Sequence, residues 1–100
     1  TDEFDQEDVS FKKLDRNNYI FDGKLPLIDF YKILNIEGEI FEAAKGEADT
    51  IAGFCTEQAG KIMLKNEKFN FENYTFIVEA ADKRKIKKVK ITINEDAKNS

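Results

Sequence analysis

The last third of the chain alternates apolar with polar residues, and this pattern constrains the fold more than any other feature of the sequence. Alternation with a period of two puts every second side chain on one face of a β-strand. The apolar members of the pattern are Phe69, Phe71, Tyr74, Phe76, Val78, Val89, Ile91 and Ile93. The sequence therefore predicts three strands that share one apolar face.

A first turn at residues 72–73 sets the register of the first two of these strands. A two-residue turn there places Phe71 opposite Tyr74 and Phe69 opposite Phe76. Residues that face each other across an antiparallel pair lie on the same side of the sheet. The four aromatic rings are therefore expected on one face.

A second turn at residues 82–83 sets the register of the last strand. A two-residue turn there places Phe76 opposite Val89 and Tyr74 opposite Ile91. The two registers agree on which side is apolar, and this agreement predicts an antiparallel meander.

Two helices are predicted to cover the apolar face, because a sheet must bury such a face against another layer. The first begins at Pro26, since proline suits the start of a helix, and it ends between Asn35 and Gly38. Its apolar residues recur with helical spacing and are Leu27, Phe30, Tyr31, Ile33 and Leu34. Residues 39–48 are mixed in character and predict a loop.

The second helix is predicted to begin at Asp49 and Thr50, where a side-chain oxygen can cap it, and to end at Gly60. Its apolar stripe consists of Ile51, Phe54, Cys55 and Ala59. Gly53 lies within it, and we expect this glycine to let the helix pack tightly against the sheet. Asp49, Thr50 and Gly53 could also line a ligand site, but a cap and a packing contact are the favoured interpretation.

The first part of the chain completes the predicted sheet. Residues 9–14 and 19–21 read as two strands joined by a turn at 15–18, and Asp22 and Gly23 close the second. The predicted fold is α+β, an antiparallel sheet with two helices packed on one face. Residues 1–8 are predicted to be an acidic linker, residues 9–94 the domain, and residues 95–100 a polar tail.

Composition excludes several classes of function. The net charge of −4 disfavours nucleic acid as a partner, and no run of 18 apolar residues is present. Histidine is absent and Cys55 is the single cysteine, which argues against hydrolase chemistry and against a zinc site. We therefore predict that the chain is not an enzyme. The lone cysteine fits a cytosolic setting, and the missing initiator Met suggests a piece of a longer protein.

The sharpest charged feature is the basic segment at residues 83–90. Arg84, Lys85 and Lys87 could bind a nucleotide, a flavin or another anion. The alternative is a solvated strand face, balanced by Glu79 and the acidic linker, with lysines that discourage pairing at an edge strand. The second interpretation is the favoured one.

Four segments resemble, in order and spacing, the transporter-associated domain of the CorC/HlyC family. They lie at residues 19–27, 49–54, 60–62 and 74–91. The first is similar to the family's Asp-Gly turn and Leu-Pro helix start, with Asp22, Gly23 and Pro26. The second is similar to the family's Asp-Thr-x-Ala-Gly signature. The third begins with Gly60.

The chain departs from the family pattern at three positions. Met63 and Asn66 stand where the family usually has proline and glycine. Lys85 stands where many members have a second arginine, and lysine is a poorer bidentate donor to an anion.

The resemblance implies a function as well as a fold. Such domains follow a membrane domain and paired CBS domains in proteins linked to magnesium and cobalt efflux, and their fold is similar to FAD-binding domains. The resemblance thus implies a regulatory or assembly domain on the cytosolic side of an integral membrane protein. Its partners would be the CBS and membrane domains of the parent protein, and a homodimer is left open. No metal is expected, and FAD or an adenine nucleotide enters by analogy of fold alone.

Overall fold

A computed structural model describes residues 11–94 of the chain. The strands are β1 (Phe11–Asp15), β2 (Asn18–Asp22), β3 (Lys68–Phe71), β4 (Tyr74–Ala81) and β5 (Ile86–Ile93). The helices are α1 (Leu27–Leu34), α2 (Glu39–Ala44) and α3 (Ile51–Ala59). The predicted α+β fold with an antiparallel sheet is confirmed. The predicted linker, the predicted tail and residues 9–10 lie outside the described residues.

The five strands form one antiparallel sheet in the order β1-β2-β5-β4-β3. The last strand of the described residues, β5, is therefore the central strand, hydrogen-bonded to β2 on one side and to β4 on the other. The expectation that the lysines of this segment protect an edge strand is wrong. Pairing between β2 and β5 joins residues far apart in sequence, and no local sequence pattern predicts it.

The register of the closing strands follows one prediction and departs from the other. Phe71 faces Tyr74 and Phe69 faces Phe76, as predicted. The second register is wrong by two residues, since Phe76 faces Ile91 rather than Val89. The connection spans four residues, because Ala81 faces Ile86 and the pairing shifts at irregularities on either side of Ala80. An even shift keeps each side chain on its predicted face, so the shared apolar face survives the error.

The segment at residues 39–48, predicted to be a loop, contains the six-residue helix α2, so within residues 11–94 three helices cover the sheet rather than two. This helix has six residues and buries one of them, Phe41. Its sequence therefore shows no helical repeat of apolar residues. The Phe41 ring nonetheless lies at the centre of the core. Its centroid is 5.0 Å from that of Phe71, 5.2 Å from that of Phe54 and 5.3 Å from that of Phe30.

The predicted ends of the two longer helices are close to those observed. Pro26 occupies the cap position just before α1, and Asn35 ends that helix in a left-handed conformation. Thr50 caps α3, since its Oγ1 accepts a hydrogen bond of 3.0 Å from the Gly53 amide. Gly60 ends α3 with φ of 76°, as predicted. Ala59, assigned above to the apolar stripe, is exposed.

Gly53 does not make the close approach to the sheet that was expected. A Cβ atom there would meet Ala48 and the Thr50 hydroxyl, both in the turn before α3. The tight approach belongs to Gly23 instead, where a Cβ atom would collide with the carbonyl oxygen of Ile86 and press on Ala52. Gly23 thus lets the end of β2 pack against both β5 and α3.

Asn66 adopts a backbone conformation that explains one departure from the family pattern. Its φ is 77°, a value that glycine adopts freely and that asparagine tolerates better than other residues. Its amide donates a 2.8 Å hydrogen bond to the Val78 carbonyl, which fixes the connection into β3 alongside β4. Asparagine therefore serves the turn in which the family places glycine.

The face of the sheet opposite the helices carries alternating lysine and isoleucine. The cross-strand row from β1 to β3 consists of Lys12, Ile20, Lys90, Ile77 and Lys68. An adjacent row is polar, and there Thr92 Oγ1 donates a 2.6 Å hydrogen bond to Asn18 Oδ1. This face is partly exposed, in contrast to the aromatic face that the helices bury.

Candidate functional site

The end of the sheet at which β2 finishes and β5 begins carries a basic cavity. Its volume is about 260 Å³, and we call it the basic pocket. It is lined by Asp22, Lys24, Lys85, Ile86, Lys87 and Lys88. Four of these six side chains are cations at neutral pH.

The turn after β2 forms one wall of the basic pocket. The Gly23 amide donates a 2.8 Å hydrogen bond to the Lys87 carbonyl, which ties this turn to the start of β5. Asp22 Oδ1 accepts a 3.2 Å hydrogen bond from the Lys24 amide. Because Asp22 is also the cross-strand partner of Lys88, Lys24 lies beside the lysines of β5.

The turn between β4 and β5 forms the second wall, and Asp82 organises it. Its Oδ1 accepts hydrogen bonds of 2.8 Å from the Arg84 amide and 2.9 Å from the Lys85 amide. These backbone bonds favour the ionised carboxylate and lower the pKa of Asp82, with a smaller contribution from the charges of Lys87 and Lys85. Asp82 Oδ2 lies 3.7 Å from Lys87 Nζ.

The structure brings together two of the three basic residues that the sequence singled out. Lys85 and Lys87 line the pocket, whereas Arg84 lies in the adjoining turn and does not. Sequence reasoning missed Lys24, whereas Lys88 belongs to the predicted basic segment but was not named as a candidate site residue. Lys24 follows Asp22 and Gly23 in the motif already noted, but only the pairing of β2 with β5 places it there.

The electrostatics of the basic pocket favour an anion. Both nearby carboxylates, Asp22 and Asp82, accept backbone hydrogen bonds that hold their turns. The lysine side chains at positions 24, 85 and 87 are exposed to solvent. Such a surface can hold a phosphate or carboxylate through charge attraction, but bulk salt screens it.

The Cys55 thiol and the Tyr31 hydroxyl are buried, and both are held in the protonated state. The thiol of Cys55 is fully buried, and burial raises its pKa to about 12, so little thiolate forms near neutrality. Burial, followed by a hydrogen bond to Glu42, raises the pKa of Tyr31 well above its usual range. Within residues 11–94 no group of three Cys, Asp or Glu side chains is placed to hold a metal ion.

Comparison with known proteins shows where this domain belongs. The CorC_HlyC family model, described as a transporter associated domain, matches residues 12–95. This chain belongs to the CorC_HlyC transporter associated domain family. The match includes both walls of the basic pocket and the capped start of α3.

Individual relatives of this transporter associated domain agree with the family model. It is 30% identical over 92 residues to hemolysin C of Brachyspira hyodysenteriae, covering 90% of this chain and 32% of that protein. It is 30% identical over 96 residues to the magnesium and cobalt efflux protein CorC of Pasteurella multocida, covering 95% of this chain and 30% of that protein. The chain thus spans about a third of the length of these relatives.

A solved structure shares the fold of this transporter associated domain. The transporter associated domain of a CBS domain protein from Porphyromonas gingivalis superposes with a TM-score of 0.77 at 29% sequence identity. The match covers 85% of this chain and 98% of that one. In the part of the chain that the structure describes, no helix is long and apolar enough to cross a bilayer.

Proposed function

We propose that this chain is a non-catalytic regulatory or assembly domain of a CorC/HlyC-type membrane transporter of magnesium or cobalt. It lies on the cytosolic side and acts through contacts with the CBS and membrane domains of its parent protein. The observation that carries the proposal is the share of each chain that the sequence similarity covers. The similarity takes in 95% of this chain but only 30% of a magnesium and cobalt efflux protein, so the shared part is one module of that larger relative.

The interior of the domain supports a role in contacts rather than in catalysis. Aromatic rings from all three helices and from the sheet fill the core, with Phe30, Phe41, Phe54 and Phe76 almost completely buried. The Cys55 thiol is held protonated within this core. Chemistry near neutral pH usually needs an activated nucleophile, and the raised pKa values of Cys55 and Tyr31 keep both groups protonated there.

The proposal is tested in the parent protein by removing residues 9–94. Cobalt efflux from loaded membrane vesicles is measured at matched levels of protein in the membrane. We expect the deletion to change the efflux rate, its response to cytosolic ligands, or the oligomeric state of the detergent-solubilised protein. A control variant with Lys32→Ala, an exposed change on α1, should behave as the unmodified protein. Efflux and assembly that survive the deletion unchanged would refute the proposal.

A second candidate function is a nucleotide-, flavin- or anion-binding module, and the basic pocket is the observation that favours it. The pocket gathers Lys24, Lys85, Lys87 and Lys88 around one cavity, and Arg84 stands in the next turn. FAD, ATP, AMP and Mg²⁺ are titrated into the chain at about 150 mM salt, where surface charges act over about 8 Å.

A true ligand should bind saturably and raise the melting temperature, because binding to the folded state alone stabilises it. Lys85→Gln with Lys87→Gln should abolish that effect. Lys61→Gln with Lys68→Gln removes the same charge elsewhere and should leave it intact. Loss of binding in both variants would show a response to net charge rather than to a site.

A further inference from the structure

The face of the sheet opposite the helices carries a row of lysines separated by isoleucines. The row crosses all five strands through direct cross-strand pairing and consists of Lys12, Ile20, Lys90, Ile77 and Lys68. We call it the lysine row. Lys12 and Lys68 are exposed, and the other three residues are half-buried. The helices thus leave open a stripe that is both apolar and positively charged.

The lysine row contains no acidic residue. Within residues 11–94 no carboxylate lies within ion-pair distance of its lysines. The carboxylates in the turns before and after β2, Asp15 and Asp22, accept backbone hydrogen bonds there. The bond from the Asn17 amide makes the largest contribution to the lowered pKa of Asp15, and the charge of Lys90 makes the smallest. A partner that brings negative charge would therefore complement the row.

The spacing of the lysine row selects the shape of an acidic partner. Lys12, Lys90 and Lys68 stand on every second strand, so successive lysines are about 9.6 Å apart at the backbone. An α-helix advances about 10.5 Å over seven residues, so carboxylates at i, i+7 and i+14 match the three lysines. An extended chain repeats on one side about every 6.7 Å, which leaves the middle lysine between two of its carboxylates.

The two isoleucines of the lysine row fit the same helix. Ile20 and Ile77 lie midway between the lysines, about 4.8 Å from the strand on either side. Positions i+4 and i+11 of a helix lie on the same face as i and i+7, about 6 Å further along the axis. Apolar side chains at these positions would cover the isoleucines while the acidic side chains reach the lysines.

The twist of the sheet disfavours a flat anionic surface such as a lipid bilayer as the partner. Neighbouring strands rotate by about 20–25°, which amounts to about 80–100° between β1 and β3. The outer lysines, Lys12 and Lys68, therefore project in diverging directions that one flat surface does not meet together. A helix laid along the row is a narrow rod, and long lysine side chains can reach it from both sides.

We propose that the lysine row docks an amphipathic acidic helix of a protein partner, laid across the strands. The helix carries acidic residues at i, i+7 and i+14 and apolar residues at i+4 and i+11. This assignment rests on the contact role proposed above and gives that role a surface separate from the basic pocket. The contact is largely electrostatic, so it weakens as salt shortens the range of the charges.

The test titrates the chain with a synthetic helix of this pattern at about 50 mM salt, where surface charges are weakly screened. The probe has glutamate at i, i+7 and i+14 and leucine at i+4 and i+11, among alanine and glutamine. A side-chain crosslink keeps it helical, because so short a helix is marginal in water. One control probe has the same composition and crosslink with the glutamates moved to the opposite face. The other is an uncrosslinked peptide with glutamate at alternate positions.

The first probe should shift the amide resonances of residues 12, 20, 68, 77 and 90 and bind at least about fivefold more tightly than either control. Two variants of equal net charge separate the row from charge in general. K68Q/K90Q removes two lysines of the row, and K32Q/K65Q removes two exposed ones elsewhere. The first variant should weaken binding of the probe about fivefold, as two exposed ion pairs predict, and the second should leave it within twofold.

Several outcomes would overturn the proposal. Equal weakening in the two variants would mean that net charge explains the binding. Shifts confined to Lys24 and residues 85–88 would place the probe in the basic pocket. An alternating peptide that binds as tightly as the helix would remove the case for a helical partner. Binding to phosphatidylserine vesicles that K68Q/K90Q abolishes, with no binding of the probe, would assign the row to a membrane surface. None of these measurements involves efflux, so the proposed function can fail or stand apart from them.

Discussion

The hydroxyl of Tyr31 donates a 2.7 Å hydrogen bond to a carboxylate oxygen of Glu42, and this bond joins α1 to α2. The Tyr31 ring is buried, and Gly38, at the start of α2, lies against that ring so closely that a Cβ atom would overlap it. The short helix α2 is thus held by a polar contact at its surface and by Phe41 in the core. The pair contributes to the placement of a helix that, at six residues, is too short to be stable by itself.

Breaking this pair should loosen α2 by a measurable amount. Tyr31→Phe should lower the free energy of unfolding by about 1–2 kcal/mol, because the bond has a charged acceptor. Glu42→Gln keeps an acceptor and should have a smaller effect. Urea unfolding of Tyr31→Phe, Glu42→Ala and their double variant gives the coupling energy, because alanine removes the acceptor. A coupling below about 0.3 kcal/mol would mean that the bond does not stabilise the fold.

Gly23 should tolerate replacement poorly, because a backbone carbonyl occupies the space that a side chain would need. Gly23→Ala forces a methyl group against the Ile86 carbonyl and should destabilise the fold by about 1–3 kcal/mol. Gly60→Ala is the matched control, because it meets no atom within 4 Å and carries only the strain of a left-handed φ. Amide hydrogen exchange distinguishes the two variants. The Gly23 amide, bonded to Lys87, should exchange faster in Gly23→Ala and remain protected in Gly60→Ala, and equal protection in both would contradict this account.

The Cys55 thiol should be inert in the folded domain. Burial raises its pKa from 9.0 to about 12, which lowers the thiolate fraction about a thousandfold at pH 8. Reaction with an aromatic disulfide reagent is followed in buffer and in guanidinium chloride, with Cys55→Ala as the blank. We expect the folded chain to react at least about a hundredfold more slowly than the unfolded one. A native rate within tenfold of the unfolded rate would show that the side chain is accessible.

Stability should fall in acid because three carboxylates titrate low in the folded state. Backbone hydrogen bonds lower the pKa of Asp82, Asp15 and Glu67, so each gains stability from its ionised form. The unfolded chain binds protons first as pH falls, and the stabilisation is therefore complete above about pH 5 and lost through pH 4 and below.

The contribution of Asp82 can be separated from that of the others. Asp82→Asn keeps an oxygen for the Arg84 and Lys85 amides but does not titrate. Melting temperature measured between pH 3 and pH 7 should therefore fall less steeply in this variant than in the unmodified chain. Identical slopes would mean that Asp82 has the same pKa in the folded and unfolded states.

The closing strands could be predicted from the sequence because their signal is local. Alternation at Phe69, Phe71 and Phe76 identifies the buried face whichever register the turn selects. The register of β5 could not be predicted, because it depends on the four-residue turn that Asp82 caps through its side chain. A pattern of strand residues carries no information on that geometry.

The helix α2 and the place of Lys24 in the basic pocket could not be predicted from the sequence either. A helix that buries only Phe41 has no periodicity to detect. The basic pocket unites Lys24 with Lys85 through the pairing of β2 with β5, which is a contact between distant segments. The basic run identified Lys85 and Lys87, and only the sheet order adds Lys24.

The position of β5 has a consequence for how the chain is made. Synthesis proceeds from the amino terminus, so the hairpins β1-β2 and β3-β4 can form before residues 86–93 have left the ribosome. They have no shared partner until β5 inserts between them, because the order of the sheet places the last strand at its centre. Until β5 inserts, each nascent hairpin therefore exposes an unpaired strand edge, on β2 in one and on β4 in the other. A ribosome that stalls or terminates within β5 would release two hairpins with nothing to join them, and such a product is a natural substrate for chaperones and proteases.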